Sequence, residues 1–251
     1  MITQQTSEKL LKLKLSAFVE VCDDMANNNS YTLSLEEALA LMVDRELLQR
    51  QQRKQARLLK MAKLHFPQAT LEDIDYRLPR QFNQQQFRSL ASMDWLQKGR
   101  NIIFTGPTGV GKSHLACALG HLACRELFHT EYYRVPRLIE QLRLSHADGT
   151  YTRCLDAIAK KQLLILDDWG IDQLDRQARR DLLEVLEDRC GKASTIITTQ
   201  LPIEHWHDYI GDGTIADAIC DRVINQAYRF NMTGESVRKE KNRLTNVDHS
   251  V

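Results

Sequence analysis

Two kinds of hydrophobic pattern alternate along most of this chain. Short runs of consecutive apolar residues, such as 102–104 and 163–166, are typical of strands that are buried on both faces of a sheet. Longer stretches place an apolar residue at every third or fourth position, which is the period of an amphipathic helix. The alternation predicts the α/β class, a parallel sheet flanked by helices. The predicted strands cover 101–105, 130–135, 162–168 and 194–200, and Phe230 begins a further short strand or turn.

The helical pattern stands alone in the N-terminal part of the chain. One helix is predicted at 7–26 and a second at 34–64, where Ser34 and Glu37 form a capping-box signature. The sequence therefore predicts a small all-helical domain at 1–68, which binds DNA or a partner, before an α/β domain at 69–251. Further helices are predicted at 89–97, 114–127, 137–145, 155–160, 176–190 and 214–224, with turns at 146–149 and at Trp206 and Tyr209.

Composition narrows the class of protein only a little. Of the 251 residues, 43% are hydrophobic and 27% are charged, and the net charge of +1 gives no global sign of a nucleic-acid partner. No apolar run approaches the roughly 20 residues of a membrane span, so we expect no membrane partner. The first residues lack a signal-peptide pattern, and the six cysteines are scattered. These features favour a reduced cytoplasmic compartment.

The strongest motif is a phosphate-binding loop between the strand at 101–105 and the helix at 114–127. Residues 106–113 fit G-x-x-x-x-G-K-[ST] in the strand–loop–helix setting that the motif requires. The spacing predicts that Lys112 holds the β- and γ-phosphates and that Ser113 binds Mg²⁺. The predicted nucleotide-binding residues are Gly106, Pro107, Thr108, Gly109, Val110, Gly111, Lys112, Ser113 and His114.

Two adjacent carboxylates end the apolar run at 162–168. Ligands of open α/β sheets bind at the carboxyl ends of the strands, so Asp167 is predicted to bind Mg²⁺. Asp168 is predicted to orient or activate the attacking water. The alternative, an acidic turn after a strand, is disfavoured by the phosphate-binding loop upstream. In hydrolysis of a γ-phosphate, an arginine usually completes the charge compensation. The best downstream candidates are Arg222 and Arg238, and spacing alone does not rank them against Arg229.

A basic stretch ends the second predicted helix. Between positions 50 and 63 there are six basic residues and no acidic ones, and the first four share one helix face. Positive charge along one face suits contact with a DNA backbone, whereas the competing interpretation is a solvated helix surface. The candidate DNA-binding residues are Arg50, Arg53, Lys54, Arg57, Lys60 and Lys63.

Several stretches of the chain together resemble the IstB family, the ATP-binding helpers of insertion-sequence transposition. They are 106–113, 163–170, 181–189, 194–202, 205–211 and 234–239, and the resemblance runs from the leading helices to Lys239. The family belongs to the AAA+ superfamily of P-loop NTPases, in the branch shared with the DnaC helicase loader. The resemblance therefore implies an AAA+ core with ATP and Mg²⁺ as ligands.

What the resemblance implies for function is an ATPase whose hydrolysis is stimulated by DNA and depends on assembly. Such a protein forms a homo-oligomer, a ring or a helical assembly, on duplex DNA. It assists the transposase encoded by the same element in selecting and using target DNA. Two alternatives remain: a DnaC-like helicase loader for replication, and a DNA-binding scaffold in which ATP controls assembly and hydrolysis is incidental.

The resemblance also assigns residues. Arg222 matches the arginine that acts on a neighbouring subunit, and Arg238 matches one that contacts the γ-phosphate in its own subunit. Either Thr199 or Gln200 matches sensor 1, the family's polar residue at the end of the strand predicted at 194–200. Asp168 departs from the usual glutamate, which implies slow turnover because the shorter side chain lies farther from the water. DNA contact is favoured for the basic stretch and extends to Arg137, with Arg134 and Arg143 as further candidates.

Overall fold

The computed structural model describes residues 3–27, 33–76, 80–234 and 236–237. It divides into two compact units, Met1–Arg57 and Leu58–Val251, so the division lies before the boundary expected after residue 68. The domains at 1–68 and 69–251, with their roles, stay a prediction. No helix among the described residues is long and apolar enough to cross a membrane.

The first unit contains helices α1 (Gln4–Lys12) and α2 (Ser16–Asn27) and most of α3 (Leu35–Ala62). The single helix predicted at 7–26 is wrong, because Lys14 takes a left-handed conformation with φ +59° and breaks it in two. The capping box at the start of α3 is confirmed. The Glu37 amide donates to Ser34 Oγ at 3.2 Å, and the Ser34 amide donates to Glu37 Oε2 at 2.7 Å.

A buried carboxylate joins two helices of the first unit. Glu46 on α3 is only 4% exposed and accepts from the Ala17 amide of α2 at 3.1 Å and from Arg50 Nε at 2.8 Å. These bonds satisfy a charge that burial would otherwise make costly. The bond from Arg50, with the Ala17 amide assisting, lowers the pKa of Glu46 against desolvation.

The second unit is built on a five-stranded parallel sheet, which confirms the predicted α/β class. The five strands of this sheet are β2 (Ile102–Thr105), β3 (Thr130–Arg134), β4 (Leu163–Trp169), β5 (Ser194–Thr199) and β6 (Tyr228–Asn231). A two-residue strand outside the sheet, β1 (Arg80–Gln81), precedes them in the chain. Their order is β3-β4-β5-β2-β6, so β5 separates the strand before the phosphate loop from the strand that carries the carboxylates. A last strand, β7 (Thr233–Gly234), pairs antiparallel with β1.

Helices surround this sheet. They are α4 (Gln84–Ser89), α5 (Asp94–Gln97), α6 (Lys112–Arg125), α7 (Val135–Ala147), α8 (Tyr151–Ala159), α9 (Arg176–Arg189), α10 (Trp206–Ile210) and α11 (Gly213–Ile224). The helix predicted at 89–97 is wrong, because Met93 at φ +60° separates a 3-10 turn from α5. The predicted turn at 146–149 is shorter than expected because α7 continues to Ala147. Trp206 and Tyr209, predicted in a turn, lie in α10.

The two faces of the sheet contribute to separate hydrophobic cores. Ile102 and Phe104 of β2 pack in a core with α6, whereas Ile103 packs in the core that contains α7, α9 and α11. The same alternation occurs in β4, where Ile165 and Leu166 belong to different cores. A parallel sheet covered on both faces explains why its strands read as continuous apolar runs. It also brings the carboxyl ends of β2, β4 and β5 to one edge.

Candidate nucleotide-binding site

The loop between β2 and α6 is shaped by close backbone contacts. A Cβ added to Gly106, at φ +146°, would lie 2.1 Å from the carbonyl oxygen of Met232. A Cβ on Gly109, at φ +89°, would lie 2.3 Å from Ser236 Oγ, and the Val237 amide donates to the Gly109 oxygen at 3.0 Å. Only glycine fits these positions. The loop therefore exposes its backbone at the N-terminus of α6, a place that favours anions.

Lys112 begins α6 with its side chain folded back over the loop. The residue is 8% exposed, and Nζ donates to the carbonyl oxygens of Gly106 and Pro107, each at 2.8 Å. Burial lowers the pKa of Lys112, while Asp167 and Asp168 act in the opposite direction. An ammonium group held by two carbonyls can exchange them for phosphate oxygens, which are stronger partners for a cation.

Asp167 lies at the centre of a hydroxyl network. It is 4% exposed, and its Oδ1 accepts from Ser113 Oγ at 2.7 Å and from Thr198 Oγ1. Its Oδ2 accepts from Tyr132 Oη at 2.6 Å. Burial, followed by this bond to Asp167, raises the pKa of Tyr132. Four elements thus meet at one carboxylate: α6, β3, β4 and β5.

These groups suit a magnesium ion. A carboxylate and a hydroxyl are hard oxygen donors, and Mg²⁺ usually takes one or two protein ligands together with substrate phosphates. The described residues contain no cluster of three or more His, Cys, Asp or Glu side chains placed to hold a metal by themselves. A cation held by Ser113 and Asp167 would therefore need phosphate oxygens or water as its other ligands.

Asp168 has different surroundings from its neighbour. Its φ of +62° is left-handed, and the β4–β5 register is interrupted between Leu166 and Trp169. This irregularity turns the side chain so that Oδ2 accepts from Arg134 Nε of β3 at 2.6 Å. The hydrogen bond to Asp168 raises the pKa of Arg134. The structure thus places Arg134, a candidate for DNA contact, beside the proposed catalytic carboxylate.

The polar end of β5 distinguishes three consecutive side chains. The Thr198 hydroxyl donates to Asp167. The buried Thr199 donates through Oγ1 to the Trp169 carbonyl at 2.7 Å, so its hydroxyl holds the strand end together. Gln200 is exposed and lines the cavity. Of the two predicted sensors, Gln200 has the side chain directed to solvent at the site.

One cavity of about 540 Å³ joins these groups. Its lining includes the predicted Thr108, Gly109, Gly111, Lys112, Ser113, His114, Asp167, Asp168, Thr199 and Gln200, whereas Gly106, Pro107 and Val110 are not among the lining residues. Val110 is buried in the core. The sequence motifs assigned no role to Tyr132, to Thr198 or to five lining residues between α3 and β1, which are His65, Phe66, Asp73, Ile74 and Asp75. The polar end of the predicted strand at 194–200 is the signal that could have identified Thr198. No local motif marks the segment between α3 and β1, where Phe66 packs beside His114 with 5.6 Å between ring centroids.

Two of the candidate arginines, Arg222 and Arg229, do not line the cavity. Arg222 on α11 forms an ion pair with Glu187 of α9, and Nη1 donates to the Ala218 carbonyl at 2.9 Å. Arg229 on β6 is exposed, and its Nη2 donates to the Ile224 carbonyl at 3.3 Å. Arg238 lies outside the described residues.

The candidate DNA-binding residues are all exposed, and several have partners. In the first unit Arg50 bonds to Glu46, and Arg53 donates to Ser16 Oγ and Gln49 Oε1, each at 2.7 Å. Arg137 in the second unit pairs with Glu140 at 2.9 Å, and the further candidate Arg143 pairs with Asp175 at 2.6 Å. Among the described residues, no ion-pair partner lies within reach of Lys54, Arg57, Lys60 and Lys63.

The fold is shared with several proteins of known structure. DnaI superposes with a TM-score of 0.56 at 23% identity, over 71% of this chain and 94% of that one. The DnaC helicase loader gives a TM-score of 0.52 at 21% identity, over 59% and 87% of the two chains. DnaA bound to AMPPCP and single-stranded DNA gives 0.57 at 16% identity, over 73% and 57%. Fold and site together define a P-loop protein of the AAA+ class.

Sequence comparison then places the chain within that class. The family model for IstB-like ATP binding proteins matches residues 8–245. An insertion sequence ATP-binding protein of Sinorhizobium fredii is 46% identical, over 97% of this chain and 99% of that protein. The ATP-binding protein of insertion sequence IS1162 from Pseudomonas fluorescens is 47% identical, over 80% and 88%. This chain belongs to the family of IstB-like ATP binding proteins, which confirms the resemblance found in its motifs.

Proposed function

We propose that this protein hydrolyses Mg²⁺-bound ATP, assembles on duplex DNA, and assists a transposase encoded by the same insertion sequence. The observation that carries the proposal is the convergence of Lys112, Ser113, Asp167 and Asp168 on one cavity. Relatives named as insertion sequence ATP-binding proteins support the biological setting. In this role the protein helps the transposase to select and use target DNA.

ATP binding follows from the loop and its lysine. The cavity of about 540 Å³ is within the range of small-molecule sites. Backbone amides of the loop would donate to the phosphates, and Lys112 would exchange the carbonyls of Gly106 and Pro107 for the β- and γ-phosphate oxygens. The buried setting strengthens this attraction, because a charge pair interacts more strongly away from bulk water.

Ser113 and Asp167 would hold the magnesium ion against the phosphates. When bound, Mg²⁺ neutralises charge that develops on the transferred phosphoryl group. The protein's own part is to keep both oxygen ligands in place, which the hydroxyls of Tyr132 and Thr198 support through hydrogen bonds to Asp167.

Asp168 is the proposed base that orients the attacking water. Asp168 and Gln200 both line the cavity, and Gln200 can position the same water or the γ-phosphate. In this structure Asp168 is bound to Arg134, so it must leave that partner, at least in part, to accept a proton. The short side chain of aspartate and this ion pair both favour slow turnover.

The remaining positive charge is proposed to come from two arginines. Arg238 would contact the γ-phosphate of its own subunit. Arg222 would act on the nucleotide of a neighbouring subunit, and its position outside the cavity of its own chain supports this assignment. A complete site would then require assembly into a homo-oligomer, a ring or a helix of subunits. An arginine supplied from a neighbour can contribute about 10³-fold or more to hydrolysis.

DNA binding is proposed for the exposed basic side chains. Their positive charges would neutralise backbone phosphates without reading the sequence. The proposed contacts are Arg50, Arg53, Lys54, Arg57, Lys60, Lys63 and Arg137.

Exposed Leu35, Leu39 and Leu47 on α3 add an apolar surface, which is typical of sites that meet another protein. The helicase-loader alternative has only the fold in its favour.

Binding and hydrolysis can be separated with two variants. K112A should lose affinity for a fluorescent ATP analogue, whereas D168N should retain it and lose hydrolysis by about 10²- to 10⁴-fold, the range for a catalytic base. D172N is the matched control, because Asp172 is an exposed neighbour that is not among the lining residues. Unchanged ATP affinity in K112A, or unchanged hydrolysis in D168N, would contradict these assignments.

A further inference from the structure

We propose that Tyr132 is a positioning residue for the magnesium site. Its hydroxyl holds one oxygen of Asp167, so that the other oxygen stays directed at the nucleotide. This inference rests on the proposed function, because it assigns a role to a side chain beside the proposed Mg²⁺ ligands. Nothing in the phosphate-loop motif or in the paired carboxylates calls for a tyrosine on β3.

The two oxygens of Asp167 have separate sets of partners. Oδ2 accepts from Tyr132 Oη at 2.6 Å, while Oδ1 accepts from Ser113 Oγ at 2.7 Å and from Thr198. The loop serine and the tyrosine therefore do not compete for one acceptor. Because the two hydroxyl groups bond to different oxygens of the carboxylate, together they fix its rotation about the Cβ–Cγ bond.

The bond from Tyr132 leaves the other oxygen of Asp167 available to a cation. Ser113 can act as a ligand beside Asp167, because a hydroxyl oxygen can bind a metal through a lone pair while its hydrogen is donated to a carboxylate. The bonds from Ser113 and Thr198 share Oδ1 with a bound metal and must adjust to it. The bond from Tyr132 is on Oδ2 and can persist unchanged. It would then keep Oδ1 aimed at the metal, the role that outer hydrogen-bond partners have at metal sites.

The tyrosine itself is held firmly. It lies in the middle of β3, paired in register with Ile165 of β4, and is only 8% exposed. Its ring stacks on His65 with centroids 6.1 Å apart and an interplanar angle of 15°. Two residues further along the same strand face, Arg134 binds Asp168. One face of β3 thus supports both carboxylates.

The adjacent tyrosine provides an internal control. Tyr133 points to the opposite face of β3, where its hydroxyl donates to Glu131 Oε1 at 2.9 Å. It is partly buried and does not line the cavity. Y132F and Y133F therefore remove the same atom from the same strand, and only Y132F removes it from Asp167. A general effect of losing a hydrogen-bonded hydroxyl from β3 should be alike in both variants.

The experiment measures affinity for a fluorescent ATP analogue as Mg²⁺ is titrated. Y132F should need about tenfold more Mg²⁺ to reach half of the rise in analogue affinity. This is the size expected when a supporting partner of a metal ligand is lost. Its affinity in EDTA should stay within about twofold of wild type, because the phosphate loop is untouched. Y133F should match wild type in both conditions. In a D167A background, Y132F should change the Mg²⁺ dependence no further.

The outcomes distinguish this inference from the proposed function. If wild-type affinity does not rise with Mg²⁺, the proposed magnesium site itself is wrong. If wild type responds to Mg²⁺ and Y132F responds identically, or if Y133F is affected equally, the role of Tyr132 is wrong. For a destabilised variant, the rise in melting temperature on adding Mg²⁺ to the ATP complex gives the same answer. That rise should shrink in Y132F and not in Y133F.

Discussion

Asp167 and Asp168 are adjacent in sequence but have different environments. Asp167 is buried and accepts from three hydroxyl groups, whereas the Asp168 side chain is 27% exposed and pairs with an arginine. Two carboxylates with different surroundings can take different parts in one reaction. Their separation depends on the left-handed backbone at Asp168, which turns consecutive side chains of one strand towards the same cavity.

Gly106 should tolerate no side chain. In G106A the new methyl group would meet the Met232 carbonyl at 2.1 Å, so we expect lower stability by about 1–3 kcal/mol beyond backbone strain and lost ATP-analogue binding. Thermal melting and analogue titration measure both effects.

G149A is the matched control for that substitution. Gly149 also has a positive φ, +75°, but a Cβ there would meet nothing within 4 Å. G149A should lower stability only by the strain of about 1–2 kcal/mol that a left-handed residue carries, and it should leave ATP-analogue binding intact. Equal effects of G106A and G149A would show that the contact with Met232 is unimportant.

At the scale of single elements, the apolar runs predicted the strands well because a two-sided sheet buries every residue in them. The runs predicted at 162–168 and 194–200 end within one residue of β4 and β5. The break between α1 and α2 could not be predicted, since the apolar period continues through it and Lys14 carries no turn signature. The phosphate-binding loop and the two carboxylates, Asp167 and Asp168, could be predicted from their motifs. Tyr132 and Thr198 depend on which strands are neighbours, and local patterns do not contain that order.

The packing of α2 on α3 should depend on pH through Glu46. The pKa of this carboxyl is lowered below its usual 4.5, chiefly by the bond from Arg50. Its stabilising effect is therefore present above pH 4.5 and is lost as the pH falls through the lowered value. E46Q should destabilise the first unit by about 1 kcal/mol near neutral pH, and the difference should narrow below pH 4.5.

Hydrogen exchange of α2 amides across that pH range measures this effect. E36Q, which changes an exposed glutamate of α3, the helix that carries Glu46, serves as the control. Its α2 amides should exchange like those of wild type. A difference between E46Q and wild type that stays constant from pH 7 to pH 3.5 would show that the charge of Glu46 does not stabilise the helix pair.

The basic face of α3 should determine how DNA binding depends on salt. Replacing Lys54 and Arg57 by glutamine should weaken duplex binding and reduce the slope of log affinity against log salt by about one to two. Arg50 and Arg53 are left in place because their bonds within the first unit make their loss structural as well. The control replaces Lys9 and Lys12 of α1 in the same way. A salt slope equal to that of wild type would remove this face from the DNA interface.

At the scale of the whole molecule, few of the chain's arginines reach the described part of the nucleotide cavity. The loop lysine, both carboxylates and Gln200 line it, but among the described residues the only arginine there is Arg134, which pairs with Asp168. Arg222 lies elsewhere on α11. We therefore propose that a single chain binds ATP by itself and hydrolyses it only beside a neighbouring subunit.

Mixing two inactive variants tests that division between subunits. R222A and K112A should each lose hydrolysis by about 10³-fold, since one lacks the arginine and the other the phosphate lysine. If Arg222 acts on a neighbour, a mixture regains activity, because an R222A site can receive Arg222 from an adjacent K112A subunit. A mixture that forms joint assemblies yet stays as inactive as its components would place Arg222 in its own subunit's site or outside the reaction.

Assembly-dependent hydrolysis is tested most directly by the ATP turnover of the purified protein with and without duplex DNA, at fixed Mg²⁺. Because assembly on DNA is proposed to bring Arg222 to its neighbour's site, we expect slow turnover without DNA and at least about tenfold faster turnover with duplex DNA. D168N should remain inactive in both conditions. Turnover that is unchanged by duplex DNA, in a protein shown to bind that DNA with ATP, would contradict hydrolysis that depends on assembly.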